Sequence, residues 1–112
     1  MSRIPVPGAA LLKHGETRVF SWPGTHGERE GFVIRHGENL RAYENVCKHL
    51  SVPLDYGDAD FYYAAIDRIT CKTHGATYLP DTGYCDDGPC AGASLNRFDL
   101  EIEGDDVVVW VP

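Results

Sequence analysis

The stretch "NVCKHLSVPLD", residues 45–55, places a cysteine and a histidine two positions apart, Cys47 and His49, in a segment that ends on Pro53 and Asp55. Proline lacks a backbone N–H and aspartate favours turns, so the segment reads as a loop rather than a strand. A second pair lies in "CKTHGATY", residues 71–78, where Cys71 and His74 stand three apart. Each pair follows a run suited to a strand, "LRAYENV" (40–46) before the first and "DRIT" (67–70) before the second. Two loops that each offer a thiolate and an imidazole can converge on one metal centre, with 21 residues between His49 and Cys71. At this level two readings stand: a zinc that staples a small fold, or a centre that moves electrons.

Working outward, the chain divides into β-rich ends and a turn-rich middle. "TRVFSW" (17–22), "GFVIRH" (31–36) and 40–46 carry β-branched and aromatic residues in partial alternation. "RHGENL", with Gly37, joins the last two as a hairpin. "NRFDLEIEGDDVVVWVP" supplies strands at 97–103 and 106–111, and alternation places Phe98, Leu100 and Ile102 on one face. Trp22 and Trp110 read as core. The prediction is an all-β, antiparallel β-sandwich or small barrel as a base, about 1–44 and 93–112. The middle, about 45–92, is a loop-rich subdomain dense in Gly, Pro, Asp, Cys and Tyr, with short strands only at 67–71 and 76–79. "ADFYYAA" (59–65) reads as a helical turn or a loop.

A chain of 112 residues makes one domain. Its formal charge of −7 disfavours nucleic acid and anionic membrane surfaces, and suits transient docking on a basic partner. It has no run of about 18 apolar residues, so no membrane span is predicted. "MSRIPVPGAALLKHGE" has no continuous apolar stretch typical of a secretion signal, so the expected setting is cytoplasmic and the expected state monomeric. In that setting cysteines beside histidines point to metal more than to disulfides.

The order C-x-H … C-x-x-H, together with "NVCKH", "PLD", "CKTHGATY", "PDTG" and a "GP" ahead of a leucine, resembles Rieske iron–sulfur proteins, and most of all their small ferredoxins. The resemblance covers essentially the whole chain. It implies a 2Fe–2S cluster with Cys47 and Cys71 on one iron and His49 and His74 on the other. It further implies that Leu50, Gly75, Ala76 and Tyr78 border the cluster and that a third loop, with Gly88 and Pro89, covers it. Two thiolates and two neutral imidazoles leave the oxidised centre without net charge, so reduction makes it −1 rather than the −3 of an all-cysteine cluster. Adding the electron is easier, and Rieske potentials lie at roughly −150 to +300 mV. Zinc remains the alternative, although paired cysteines and paired histidines are its commoner spacing.

High-potential respiratory members of the family carry an extra cysteine in each ligand loop and a serine that bonds a bridging sulfur. Here Lys48 to Pro53 contain no cysteine, and Thr73 and Ala76 occupy the other positions, which implies a low-to-intermediate potential. Tyr78 is either a core aromatic or a donor to a ligand sulfur. The remaining histidines, His14, His26 and His36, read as solvated side chains that form no second site with carboxylates. No catalytic iron site is visible, so the implied function is electron carriage from a flavin reductase to an oxygenase, or a redox-sensing or regulatory role on the same cluster. Cys85 and Cys90, in "CDDGPC", are either thiols or a disulfide bracing the covering loop. The tyrosines and phenylalanine of "YGDADFYYAAID" either pack the subdomain or form a docking surface.

Overall fold

The computed structural model describes residues 2–48 and 52–112. Ten strands follow in order: β1 Ser2–Val6, β2 Thr17–Gly24, β3 Gly27–His36, β4 Asn39–Glu44, β5 Tyr62–Tyr63, β6 Arg68–Thr70, β7 Thr77–Tyr78, β8 Cys85–Asp87, β9 Arg97–Glu103 and β10 Asp106–Val111. One six-stranded sheet has the order β1-β10-β9-β4-β3-β2, and a second, four-stranded sheet runs β5-β6-β7-β8. Every ladder is antiparallel. The two edges of the large sheet, β1 and β2, come into contact, so it curls into an incomplete barrel.

Tight turns set this register. His36 pairs with Asn39 around Gly37, and Glu103 pairs with Asp106 around Gly104. Both glycines adopt positive φ, 60° and 63°, where a side chain would be strained.

β3 explains why two cores can share one small chain. Its alternation sends Val33 inward, into a cluster with Val6, Trp22, Ala42, Phe98, Val107, Val109 and Val111 inside the curled sheet. Phe32 and Ile34 point the opposite way, into a second cluster with Tyr43, Leu54, Phe61, Ile69, Cys71 and Tyr78. A strand buried on both faces needs a continuous apolar run, and "FVI" is that run. Each such side chain contributes roughly 1.5–3 kcal/mol by burial. The second cluster fastens the small sheet to the outer face of β3 and β4.

Several expectations change. The segment 59–65 contains β5, not a helical turn. Phe61 is buried and stacks on Phe32 with ring centres 4.0 Å apart, so the large core captures it. Ile102 is 60% exposed, because β9 runs past the strands that would cover its end. Trp110 is half-buried, with the Arg3 guanidinium 5.3 Å from its ring centre. β1 escaped notice because Pro5 interrupts its pattern. It is tolerated because β1 is an edge strand.

Candidate metal centre

The loop from 45 to 55 is shaped by a buried polar clasp. Asn45 and Asp55 are buried at its two ends. The Asn45 Oδ1 accepts from the Leu54 N–H at 2.7 Å, and its Nδ2 donates to Asp55 Oδ1 at 2.9 Å and to Glu30 Oε1 at 2.8 Å. Asp55 Oδ2 accepts from the Ala59 N–H at 2.9 Å. Between them the Cys47 N–H donates to the Val52 carbonyl. His49 and Leu50 lie outside the described residues.

The second loop turns on itself. The Cys71 N–H donates to Ala76 O at 2.8 Å and the Gly75 N–H to Cys71 O at 2.9 Å, with Gly75 at φ 74°. The backbone N–H groups of Thr73 and His74 are directed at the Cys71 sulfur. A further bond, Lys72 N–H to Leu54 O at 2.9 Å, sews the two loops together.

The result brings Cys47 and Cys71 side by side, both at most 1% exposed and within hydrogen-bond reach of each other. Burial first, and the neighbouring Cys47 sulfur second, push the Cys71 thiol above its ordinary pKa. Two adjacent sulfurs in a water-poor site, one of them receiving backbone N–H bonds, form a donor set that suits a thiolate-bound cation. His74 is on the exposed rim of the same loop. Ala76 and Tyr78 are fully buried behind it.

Gly88 packs against this loop directly. A Cβ there would fall 2.7 Å from Ala76 Cα, and its φ is 105°. Pro89, next to it, is exposed. Gly88→Ala should therefore lift the 85–92 segment off the 71–76 loop at a cost of roughly 1–3 kcal/mol. Faster bleaching of the visible chromophore under a chelator would report it; an unchanged bleaching rate would show that this contact does not seal the centre.

Tyr78 reaches both sides of the site. Its oxygen accepts from the Lys48 N–H at 3.2 Å, and it lies 3.6 Å from Cys47 Sγ and 3.1 Å from Cys90 Sγ. Burial, with the Cys90 contact next, raises its pKa. It is thus both a core aromatic and a neighbour of the Cys47 sulfur. Cys85 and Cys90 form no disulfide, and their sulfurs are 3.1 Å apart.

Among the residues of 56–67, Phe61 is buried and Tyr62 half-buried, whereas Tyr56 and Tyr63 are exposed. Tyr56 donates to Lys72 O at 2.6 Å beside the second loop.

The reading of the spare histidines as solvated and apart from carboxylates does not hold for two of them. His36 Nε2 lies 2.8 Å from Asp67 Oδ1 and its Nδ1 2.9 Å from Asp81 Oδ1. Tyr62 also donates to Asp67, and His14 Nε2 lies 3.2 Å from the Tyr62 oxygen. His14 Nδ1 accepts from the Gly37 N–H at 2.8 Å, which turns its Nε2 toward the Tyr62 oxygen. The loop 64–67 and the turn at 81 are distant in sequence from β3, and no sequence periodicity signals their approach. By contrast, Asn45 and Asp55 are polar residues that bracket a turn in the sequence, a local signal that could have marked them.

Burial lowers the His36 pKa, but the bonds from Asp67 and Asp81 outweigh it, leaving it above 6.5. His36 therefore binds its proton more tightly folded than unfolded. Its stabilising effect is full below pH 6.5 and fades as pH rises through the higher folded value. The thermal midpoint of the native protein should fall over that window. His36→Gln should flatten the dependence and cost about 1 kcal/mol at the acidic end. An equal pH slope in the variant would assign the effect elsewhere.

With this geometry in place, the comparisons with known proteins fall into line. Residues 3–101 match the Rieske [2Fe-2S] domain, and the chain belongs to that family. Its cofactor is accordingly one Rieske 2Fe–2S cluster, which sets aside the zinc alternative.

A cytochrome b6-f complex iron–sulfur subunit of Chlorobaculum thiosulfatiphilum is 28% identical over 109 residues, 97% of this chain and 54% of that protein. The chain thus spans about half the length of this curated relative. Among solved structures, the ferredoxin of carbazole 1,9a-dioxygenase from Nocardioides aromaticivorans IC177 superposes with a TM-score of 0.68 at 22% identity, covering 97% of each chain. A chain from a complex of reduced oxygenase and oxidized ferredoxin in carbazole 1,9a-dioxygenase gives 0.71 at 27% identity, over 96% of this chain and all of that one. The terminal oxygenase of carbazole 1,9a-dioxygenase from Novosphingobium sp. KA1 gives 0.74 at 22% identity, but over only 29% of its length. Among the described residues no helix is long and apolar enough to cross a membrane.

Proposed function

We propose that this chain is a one-electron carrier that passes electrons from a flavin reductase to an oxygenase-type acceptor. In this reading Cys47 and Cys71 hold one iron and His49 and His74 the other, within a subdomain of residues 45–92 on a base formed by 1–44 and 93–112. The observation that carries it is the pairing of two buried cysteines from separate loops beneath an exposed histidine, His74. Similarity along nearly the full length of two chains of ferredoxin size supports the carrier reading.

When bound, the cluster supplies a reversible one-electron centre. The protein's own contribution is positional. The buried thiols and the Tyr78 side would keep water from an iron held by Cys47 and Cys71, and the exposed His74 imidazole would offer a short exit toward a docked acceptor. Ala76 has no hydroxyl to give a bridging sulfur, and Thr73 brings no disulfide partner. Both support a potential in the low-to-intermediate part of the Rieske range; a midpoint above about +200 mV would contradict that.

The test is direct. Purified protein should be red-brown and, after reduction, give a Rieske-type EPR signal. In stopped flow, the reduced protein should re-oxidise on mixing with an oxygenase component at a rate that saturates with its concentration. A coloured protein that transfers no electron to any such component would favour the sensing or regulatory role.

A further inference from the structure

We propose that Cys85 and Cys90 form a reversible thiol–disulfide pair that sets the potential of the neighbouring metal centre through the hydroxyl of Tyr78. This rests on the ligand reading above.

The argument begins with hydrogen-bond direction. Cys85 Sγ is 3.3 Å from the Asp87 carbonyl, which can only accept, so the Cys85 S–H points there. Its sulfur then accepts from Cys90, 3.1 Å away, and Cys90 in turn accepts from the Tyr78 hydroxyl at 3.1 Å. The Tyr78 oxygen is held in place by the Lys48 N–H. A phenol has one proton, and two sulfurs compete for it. With both thiols reduced, Cys90 at 3.1 Å and Cys47 at 3.6 Å share it.

Oxidation removes the Cys90 share. The pair needs its sulfurs to close from 3.1 Å to a bond length of about 2.05 Å, a movement of about 1 Å. Gly92 N–H bonds Cys85 O at 2.9 Å and Ala93 N–H bonds Cys90 O at 3.0 Å, so the intervening loop is already folded back on itself. Cys90, 9% exposed at the loop edge, is the less buried of the two thiols, whereas Cys85 is fully buried and its pKa is pushed up to about 12 by burial.

With a low-molecular-weight disulfide as oxidant, the Cys90 thiolate attacks one of its sulfurs and releases the first small thiol. Cys85 then attacks the Cys90 sulfur of that mixed disulfide and releases the second. The pair loses two electrons and two protons, and the small disulfide gains both as two thiols. A protein disulfide has no S–H and is a poor acceptor. The Tyr78 proton would then go wholly to the Cys47 sulfur, where it would stabilise the reduced, more negative state of a cluster held there and raise its potential.

The experiment uses cluster-loaded protein poised with oxidised glutathione or with dithiothreitol. Peptide mapping after alkylation should show an 85–90 crosslink, lighter by two hydrogens, only in the oxidised sample. Spectroelectrochemistry should show a higher midpoint in that sample, returning on reduction. Tyr78→Phe should still form the crosslink but lose the shift. Cys90→Ala and, independently, Cys85→Ala should lose both. Absence of the crosslink, or a crosslink that leaves the wild-type midpoint unmoved, overturns the proposal. A colourless protein without a Rieske EPR signal instead overturns the ligand reading and the tuning with it, while the crosslink assay still reports on the thiols.

Discussion

Cys71→Ser should yield a colourless protein with no Rieske-type EPR signal. The Cys71 sulfur is fully buried, stands next to Cys47 and receives the N–H groups of Thr73 and His74. A hydroxyl in its place is a harder, much less acidic donor that does not replace a thiolate on iron, and it leaves the Cys47 sulfur buried without its counterpart. Cys47→Ser should behave alike. Iron and acid-labile sulfide per chain measure the effect. Cys90→Ala is the control, since Cys90 is near but outside the proposed ligand set; it should keep full iron content. Retention of the 2Fe–2S spectrum in Cys71→Ser would remove Cys71 from the ligands.

Asn45→Ala should be the next most damaging change, although Asn45 is no ligand. It deletes bonds to the Leu54 N–H, Asp55 Oδ1 and Glu30 Oε1. A buried N–H and a buried carboxylate are left short of partners, at a cost of about 2–4 kcal/mol, or a melting midpoint roughly 10 °C lower. The first ligand loop should loosen with it, so cluster loss to a chelator should accelerate while the EPR signal of the loaded fraction keeps its shape. A melting midpoint within 2 °C or so of wild type would show that water replaces the clasp.

Much of this was legible in the chain itself. The two Cys/His loops, the β-rich ends and the turn-rich middle follow from spacing, alternation and turn chemistry, all of them local. The two-sided burial of β3 was half visible, since "GFVIRH" read as a strand but not as the shared wall of two cores. The Asn45–Asp55 clasp bracketed a quoted motif and could have been suspected from two polar residues beside a loop. The association of His36 with Asp67 and Asp81 was misread as solvation. It joins residues 31 and 45 positions apart in a contact that no local pattern encodes.

The sequence by itself determined which residues can bind a metal, the soft candidate donors at Cys47 and Cys71 and the family resemblance they carry, because donor chemistry and strand alternation are properties of neighbouring residues. Only the tertiary structure decided that the two cysteines meet in a buried site and that Tyr78 stands between Cys47 and Cys90. It also decided that His36 ties β3 to the loops below the small sheet. Those relations arise from how one sheet packs across another, where side chains distant in sequence compete for the same space and the same protons.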